Sequence, residues 1–357
     1  MRVAVIGGGI NGVMAAWELA RGGRQVTLFE RGEVMGETSS ASTKLLHGGL
    51  RYLEHGSFWL VREALRERSW WFSQAPHLCH PLRILLPHYE GVGRPRWMLG
   101  VGLWLYRILA GAANIAPHQW LGREQALEAS PDLRPEGLLG AYAFWDGQMD
   151  DHKLGLWAAG QARAAGVEIR EHTAVRSVSL DGDLIADTGP KHFDAIVNVA
   201  GPWARKLLDA SEIPARHYLD LVRGSHLVVD RVCPAAILAE VRASRRIAFI
   251  LPYLGKTLVG TTEERQTLEE PIACSERERD YLIRFHDSLM ATPLEPGEIC
   301  STFAGVRPLL RTADDPGKAS REYAIERQGR LVTVFGGKWT TARSLGQKVA
   351  GVVAKIA

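Results

Sequence analysis

The sequence predicts an α/β fold whose central sheet is parallel and is assembled from separate pieces of the chain. The chain begins with a buried strand at residues 3–6, which runs into the glycine pattern G-x-G-x-x-G. A helix and a second strand at residues 25–29 follow directly and complete a β-α-β unit. Strand and helix signals alternate again at residues 153–201 and 330–354, which indicates that these segments extend the same sheet.

The glycine pattern has the spacing of a dinucleotide-binding turn. Gly7 permits a tight turn, Gly9 lets the backbone approach a pyrophosphate, and Gly12 lets helix and strand pack closely. The pyrophosphate would lie at the helix N-terminus, where unpaired N–H groups and the helix dipole favour negative charge. Glu30 ends the second strand and is placed to accept hydrogen bonds from a ribose 2′-hydroxyl.

Chain length, net charge and cysteine content limit the kinds of protein that this chain can be. At 357 residues the chain is longer than a usual single core, so we expect two domains. The net charge of +3 is too small to indicate a nucleic-acid partner. Four scattered cysteines predict reduced thiols, with neither a metal site nor a disulfide framework. The first strand begins at residue 3 and leaves no room for a signal peptide, so we expect a cytoplasmic protein.

Two stretches differ in character from the rest of the chain. Residues 81–144 are apolar and rich in Trp, and residues 213–300 contain several short β-like runs. We predict that these two stretches form one inserted α+β substrate domain with an antiparallel sheet. Residues 1–80, 145–212 and 301–357 then form the dinucleotide-binding domain.

Several motifs make the prediction more specific. A long block, S-S-x-S-x-K-L-x-H-G-G-L-R-Y-L-E, covers residues 39–54. Further along lie Gly-Ser-His at 224–226, Gly-Thr-Thr at 260–262, G-V-R-P-L at 305–309 and G-G-K-W-T-T-A-R at 336–343. Together with the first glycine pattern, these motifs resemble the FAD-dependent glycerol-3-phosphate dehydrogenases of the D-amino-acid-oxidase-like superfamily. The resemblance follows the chain in order over nearly its whole length.

The resemblance implies a Rossmann-like FAD-binding domain that carries the inserted substrate domain. It also implies oxidation of sn-glycerol 3-phosphate to dihydroxyacetone phosphate, with a hydride passing from C2 to flavin N5. Electrons would then pass to a quinone or another acceptor. Relatives of this kind deliver them to a membrane quinone or, in the oxidases, to oxygen.

The resemblance also assigns residues to FAD. Hydroxyl groups at 38–43 would bind the pyrophosphate and ribityl chain, and backbone at Val175 would hold the adenine. A helix beginning at Lys338 would direct its N-terminus at the flavin N1/O2 edge and stabilise the anionic reduced flavin. The full set is Gly7, Gly9, Ile10, Asn11, Gly12, Glu30, Arg31, Thr38, Ser39, Ser40, Ser42, Lys44, Leu45, His47, Gly48, Val175, Ala200, Gly201, Trp203, Gly337, Lys338, Trp339, Thr340 and Thr341.

A phosphorylated substrate needs cationic anchors, and arginine binds phosphate through two parallel hydrogen bonds. Arg307 and Arg321 are the leading phosphate ligands, with Arg51 and Tyr52 as further substrate contacts. For Arg321 the alternative is a solvated surface residue, and for Arg307 it is a structural ion pair.

Two residues compete for the role of the catalytic base. We favour His226 as the base and Lys338 as a polarising cation near N5. The reverse assignment stays open, since burial beside a helix N-terminus would lower the pKa of a lysine.

An apolar stretch at 100–110 follows the basic and aromatic residues 94–97 and is too short to span a membrane. It predicts an interfacial helix that rests on anionic lipid, which gives peripheral membrane binding; a core helix of the substrate domain is the alternative.

The chain ends about one helix after the Lys338 motif, where members of the family continue into a helical domain. Glu263 also stands where an aspartate is usual, so a different phosphorylated or acidic polyol is a possible substrate. Two other functions remain open: an FAD-dependent amine or amino-acid oxidase, and a non-catalytic flavoprotein subunit.

Overall fold

A computed structural model describes residues 1–241, 246–311 and 323–356. The strands are β1 Arg2–Ile6, β2 Gln25–Phe29, β3 Leu45–Leu46, β4 Cys79–Tyr89, β5 Gln119–Gly122, β6 Leu138–Met149, β7 Glu168–Arg170, β8 Val175–Val178, β9 Asp183–Ala186, β10 Gly189–His192, β11 Ala195–Asn198, β12 Leu219–Val229, β13 Ala236–Glu240, β14 Ile247–Tyr253, β15 Lys256–Gly260, β16 Glu264–Arg265, β17 Ile299–Leu310, β18 Tyr323–Gln328 and β19 Leu331–Gly336. The α-helices are α1 Ile10–Arg21, α2 Phe58–Gln74, α3 Arg96–Ala110, α4 Arg123–Ala129, α5 Asp151–Ala164, α6 Ala204–Ala210, α7 Glu276–Leu289 and α8 Ala342–Val353.

The first sheet has six strands in the order β18-β19-β11-β1-β2-β7. All its pairs are parallel except β18 with β19. Its strands come from three distant parts of the chain, as the sequence predicted. Helices α1, α5 and α8 bury their apolar faces on one side of the sheet, and α6 packs on the other side with a three-stranded sheet, β8–β10. Both faces are covered, which explains why β1 and β2 are apolar almost throughout.

The turn between β1 and α1 has the geometry that its glycines predicted. Gly7 adopts a left-handed φ of +112°. A Cβ atom on Gly12 would come within 1.9 Å of the Gly7 carbonyl oxygen, so only glycine allows α1 to approach β1 this closely.

The second sheet has ten strands: eight follow the order β16-β12-β15-β14-β13-β4-β6-β3, while β17 pairs with β12 and β5 with β6. Every pair is antiparallel except β13 with β4. One face packs against α4 and α7, and the other faces α3. Strands β4, β6 and β17 run without interruption across the boundaries predicted at residues 80/81, 144/145 and 300/301. The division into two domains therefore stays a prediction.

Two predicted elements differ from those observed. The last helix begins at Ala342 rather than at Lys338, and residues 337–341 form a turn before it. The stretch predicted from 100 to 110 is the larger part of α3, which begins at Arg96. Within the described ranges, no helix combines the length and the apolar character needed to cross a membrane.

Replacing Gly12 by Ala tests the close packing of α1 on β1. The new methyl group would meet backbone rather than a flexible side chain, so we expect Gly12→Ala to lower the free energy of unfolding by roughly 1–3 kcal/mol. Gly160→Ala is the control, because a Cβ there meets nothing within 4 Å, and in mid-helix it should raise stability by up to about 1 kcal/mol. Thermal or urea unfolding measures both changes. Equal stability of the two variants would contradict the packing argument.

Candidate active site

One large cavity of about 1230 Å³ lies between the two sheets. It begins at the carboxyl ends of β1 and β2 and continues past the 38–49 segment to β17 and the loop before α8. In open α/β sheets the carboxyl ends of the parallel strands are where ligands bind. The cavity exceeds the usual 300–1,000 Å³ of a small-molecule pocket, so it has room for a ligand of dinucleotide size together with a substrate.

The end of the cavity at β1 and β2 contains the glycine turn. Gly7, Gly9, Ile10 and Asn11 all line it. The Ile10 N–H donates to the Ser39 hydroxyl at 3.0 Å, which fixes the 38–49 segment over the start of α1. The side-chain oxygen of Asn11 is buried and has no hydrogen-bond partner among the described residues. A buried polar oxygen of this kind calls for a partner, and a ligand in the cavity is in a position to provide one.

Glu30 and its neighbours form the far wall at this end. The Glu30 carboxylate accepts from the backbone N–H of Gly8 at 2.6 Å and of Gly32 at 2.8 Å, and it faces the cavity. The Arg31 guanidinium lies 3.9 Å from the centre of the Trp203 ring, a cation–π contact. Also on the wall here are Thr38, Val175, Ala200 and Gly201, which were assigned to the cofactor from the sequence.

The middle of the cavity is formed by the 38–49 segment, and a buried ion pair holds this segment in place. Lys44 donates from Nζ to Asp151 Oδ1 at 2.6 Å and to the Ser40 carbonyl at 2.7 Å. Asp151 Oδ2 accepts from both the N–H and the hydroxyl of Ser42, at 3.1 and 2.7 Å. Because these donors satisfy the carboxylate, the buried pair keeps Ser42 and Thr43 fixed on the cavity wall.

Five residues assigned to the cofactor are not on the cavity wall, and their side chains or backbone make other contacts. Gly12 packs against β1, and Lys44 is used in the ion pair with Asp151. Ser40 donates to the Met35 carbonyl, and the Gly48 N–H donates to the Tyr106 hydroxyl at 2.9 Å. Thr341 is buried at the start of α8. The remaining residues of the predicted set all lie on the wall, including Leu45, His47, Gly337, Lys338, Trp339 and Thr340.

The turn before α8 is held by tryptophans rather than by the helix itself. Trp339 donates from Nε1 to the Ser39 carbonyl at 2.9 Å, and Trp71 donates to the Thr340 carbonyl at 3.1 Å. The two indole rings lie 5.1 Å apart. Lys338 therefore lies four residues before the helix and not at its first turn, so its position comes from the turn and its contacts.

Four residues that the sequence assigned to substrate or catalysis line the cavity: Arg51, Tyr52, Arg307 and Lys338. The carboxylates of Glu54, Glu240 and Glu263 line it as well. Lys338 Nζ lies 3.8 Å from the centre of the Tyr52 ring. Arg307 donates from Nη2 to the Thr261 hydroxyl at 2.6 Å and from Nη1 to the Thr262 carbonyl at 3.2 Å. Arg321, the other predicted phosphate ligand, lies outside the described residues.

His226 does not line the cavity, which corrects the expectation that it contacts substrate directly. The side chain is fully buried on β12, stacked on Phe303, and its Nε2 lies 3.0 Å from the Thr43 hydroxyl. Thr43 faces the cavity and separates it from the imidazole. Burial, together with the charges of Arg307 and Lys44, lowers the pKa of His226 well below its ordinary value, so the ring is neutral at neutral pH.

A second buried cluster near the cavity was missed from the sequence. Asp146 lines the wall and accepts from Arg68 at 2.8 Å and from the Tyr106 hydroxyl at 2.7 Å. Because Tyr106 also accepts from the Gly48 N–H, this cluster anchors the turn that carries His47. Its members come from α2, α3 and β6, so no local motif marks them.

The fold and this cavity define a dinucleotide-binding protein. The model of the FAD-dependent oxidoreductase (DAO) family matches residues 2–352, and the chain belongs to that family. Glycerol-3-phosphate dehydrogenase of Pseudomonas aeruginosa is 38% identical over 97% of this chain and 70% of its own length. Aerobic glycerol-3-phosphate dehydrogenase of Escherichia coli is 35% identical over 96% of this chain and 71% of its own.

The chain also resembles solved structures that were determined with FAD bound. The glycerol-3-phosphate dehydrogenase of Bacillus halodurans complexed with FAD is 26% identical, with a TM-score of 0.78. The match covers 99% of this chain and 64% of that one, so this chain spans less than two thirds of its length. L-α-glycerophosphate oxidase of Mycoplasma pneumoniae shares the fold with a TM-score of 0.78 at 20% identity.

The residues present fit FAD. The glycine turn admits no Cβ at its closest approach, the Asn11 oxygen has no hydrogen-bond partner within the described part of the chain, and the same cavity reaches Arg307 and Lys338. FAD is the cofactor of the family, and the fold class and cofactor predicted from the sequence are confirmed.

Proposed function

We propose that this chain oxidises sn-glycerol 3-phosphate to dihydroxyacetone phosphate with FAD and passes the electrons to a separate acceptor. The observation that supports this most is that Arg51, Arg307 and Lys338 all line the cavity that begins at the glycine turn. Three cationic side chains in a partly buried site favour an anionic substrate, and relatives at 35–38% identity are glycerol-3-phosphate dehydrogenases.

In this proposal the cations orient the substrate. Arg307 presents its guanidinium to the phosphate, with Arg51 as a second contact, and Tyr52 closes the site beside Lys338. Lys338 polarises the C2 hydroxyl group. FAD, when bound, accepts the two electrons and the hydrogen that leave C2. Holding the phosphate at a fixed distance from C2 converts binding energy into orientation of the reacting carbon.

The hydroxyl proton needs an acceptor, and we propose that it passes through Thr43 to His226. Thr43 faces the cavity, and its hydroxyl is 3.0 Å from Nε2 of a neutral imidazole. The threonine hydroxyl is able to accept one proton while it donates another, so His226 acts without touching the substrate. His47 lines the same cavity and is the competing acceptor.

Arg307→Ala tests the phosphate site. We expect KM for glycerol 3-phosphate to rise roughly 10- to 100-fold, because a charge-assisted contact is lost. Arg311→Ala is the control, since Arg311 follows directly on β17 but is paired with Asp220 outside the cavity. Steady-state rates with an artificial electron acceptor measure both variants. A KM for Arg307→Ala that matches the control would refute the phosphate assignment, and faster turnover of amino acids would indicate an amine oxidase.

The pH dependence tests the role of His226. Since the base must be neutral and its pKa is lowered, kcat/KM should stay level as pH falls from 8 to 6.5 and should decrease only below that range. His226→Asn should lower kcat at pH 7 by about 10²- to 10⁴-fold while FAD content is retained. If His226→Asn keeps wild-type rates and His47→Asn does not, His47 is the base.

For the acceptor, we propose a quinone reached from an anionic lipid surface, with α3 at that surface. Trp97, Val101, Trp104 and Ile108 form one stripe along α3, and each is more than half exposed. Leu103 and Tyr106 on the opposite side are buried, so α3 is anchored by one apolar face and displays another. Such a helix, with basic residues at its ends, is typical of interfacial binding.

Vesicle binding measures this property. At low salt we expect the protein to cosediment with vesicles that contain phosphatidylglycerol, and Trp104→Gln to weaken binding because an interfacial anchor is lost. Leu254→Gln is the matched control, since Leu254 is 73% exposed in a turn far along the chain from α3. Wild-type protein that stays in the supernatant would rule out the lipid surface.

A further inference from the structure

Glu278 on α7 is a buried carboxylate outside the cavity, with an unusually full set of donors. It is 1% exposed. Oε1 accepts from the hydroxyls of Thr262 at 2.6 Å and Ser225 at 2.8 Å. Oε2 accepts from Arg223 at 2.8 Å and from the Ser275 hydroxyl at 2.8 Å. Despite burial, these hydrogen bonds keep the pKa of Glu278 below its ordinary value, so it stays ionised.

These contacts lead from Glu278 to Arg307. Thr262 donates to Glu278 through its hydroxyl, accepts the Ser225 N–H at 2.8 Å on the same oxygen, and offers its carbonyl to Arg307 Nη1. The neighbouring Thr261 accepts from Arg307 Nη2. The 261–262 backbone thus joins the buried carboxylate to the guanidinium. Fixing the one restricts the other, because Arg307 donates to the Thr261 hydroxyl and to the Thr262 carbonyl.

Gly224 supplies the space that the guanidinium occupies. A Cβ atom at this position would lie 2.3 Å from Arg307 Nη2 and 2.7 Å from the Thr261 hydroxyl. Both are ends of side chains, so a methyl group there displaces the guanidinium without moving backbone. Gly224 pairs with Gly305 on β17 and precedes Ser225, which places this space next to the Glu278 network.

We propose that Glu278 and Gly224 are positioning residues that set the direction of the Arg307 guanidinium and thereby the affinity of the site for a phosphate group. The inference rests on the proposed function, in which Arg307 receives the phosphate. An arginine side chain has many rotamers, and an anion site binds tightly only when its donors are held in place beforehand. Neither residue touches the substrate, so both act through Arg307.

Glu278→Gln removes the charge with little change in shape. In FAD-loaded protein we expect KM for glycerol 3-phosphate and the dissociation constant of inorganic phosphate to rise together by about tenfold. We expect kcat to change by less than about threefold, because groups near C2 are untouched. Phosphate binding is read from the flavin difference spectrum. Glu298→Gln is the control, since Glu298 also pairs with an arginine, Arg231, at a partly exposed position away from the cavity.

Gly224→Ala tests the same inference without removing a buried charge, in case Glu278→Gln fails to fold. It should raise KM and the phosphate dissociation constant by a similar factor. Gly297→Ala is its control, because a Cβ there meets nothing within 4 Å. Wild-type phosphate affinity in Gly224→Ala, or a loss of kcat alone with KM unchanged in either variant, overturns the proposal.

The oxidation of glycerol 3-phosphate and the positioning of Arg307 are tested separately. If wild-type protein does not oxidise glycerol 3-phosphate, the proposed function fails, but the ratio of phosphate dissociation constants between variant and wild type still decides the positioning role. If wild-type protein oxidises it and both variants keep the wild-type KM, the positioning role alone is refuted.

Discussion

The buried ion pair between Lys44 and Asp151 is the interaction on which the site depends. Lys44 has a left-handed φ of 62°, which costs a non-glycine residue about 1–3 kcal/mol and persists only where the surroundings enforce it. The pair enforces it here, since the side chains of Lys44 and Asp151 are 6% and 1% exposed and the two Ser42 donors complete the carboxylate. Removing either partner would leave an uncompensated buried charge.

From this point the 38–49 segment makes contact with every part of the cavity. Ser39 is bonded to α1 and to Trp339, Thr43 to His226, and Gly48 to the Tyr106–Asp146 cluster. Leu45 and Leu46 form β3 and pair with β6, so the same segment belongs to the ten-stranded sheet. The residues assigned to FAD and those proposed to contact substrate are therefore held by one segment, as a reaction between two bound molecules requires.

The sequence predicts most of what local patterns control. The glycine turn and the parallel strands follow from motifs and periodicity, and they lie where expected. Arg51 and Arg307, which the family resemblance suggested, line the cavity, and their contact with substrate stays a prediction. The buried position of His226 and the use of Lys44 in an ion pair do not follow, because each depends on a partner far away in the chain. Asp151 is 107 residues from Lys44, and Thr43 is 183 residues from His226. Local pattern carries no information about such pairs.

The start of α8 is an instructive exception, since a local signal was present. Thr340 and Thr341 precede Ala342, and threonine is a common residue at the N-cap of a helix. The two threonines predict a helix that begins at Ala342, which leaves Lys338 in the preceding turn. The tryptophan contacts that hold the turn are tertiary, and the sequence shows only that Trp71 and Trp339 are available.

Anaerobic mixing of the FAD-loaded protein with glycerol 3-phosphate tests whether this substrate reduces the flavin in the cavity. We expect loss of the oxidised-flavin absorbance and one dihydroxyacetone phosphate formed for each flavin reduced. Protein that holds FAD and is bleached by dithionite, yet stays oxidised with saturating glycerol 3-phosphate, would contradict this expectation.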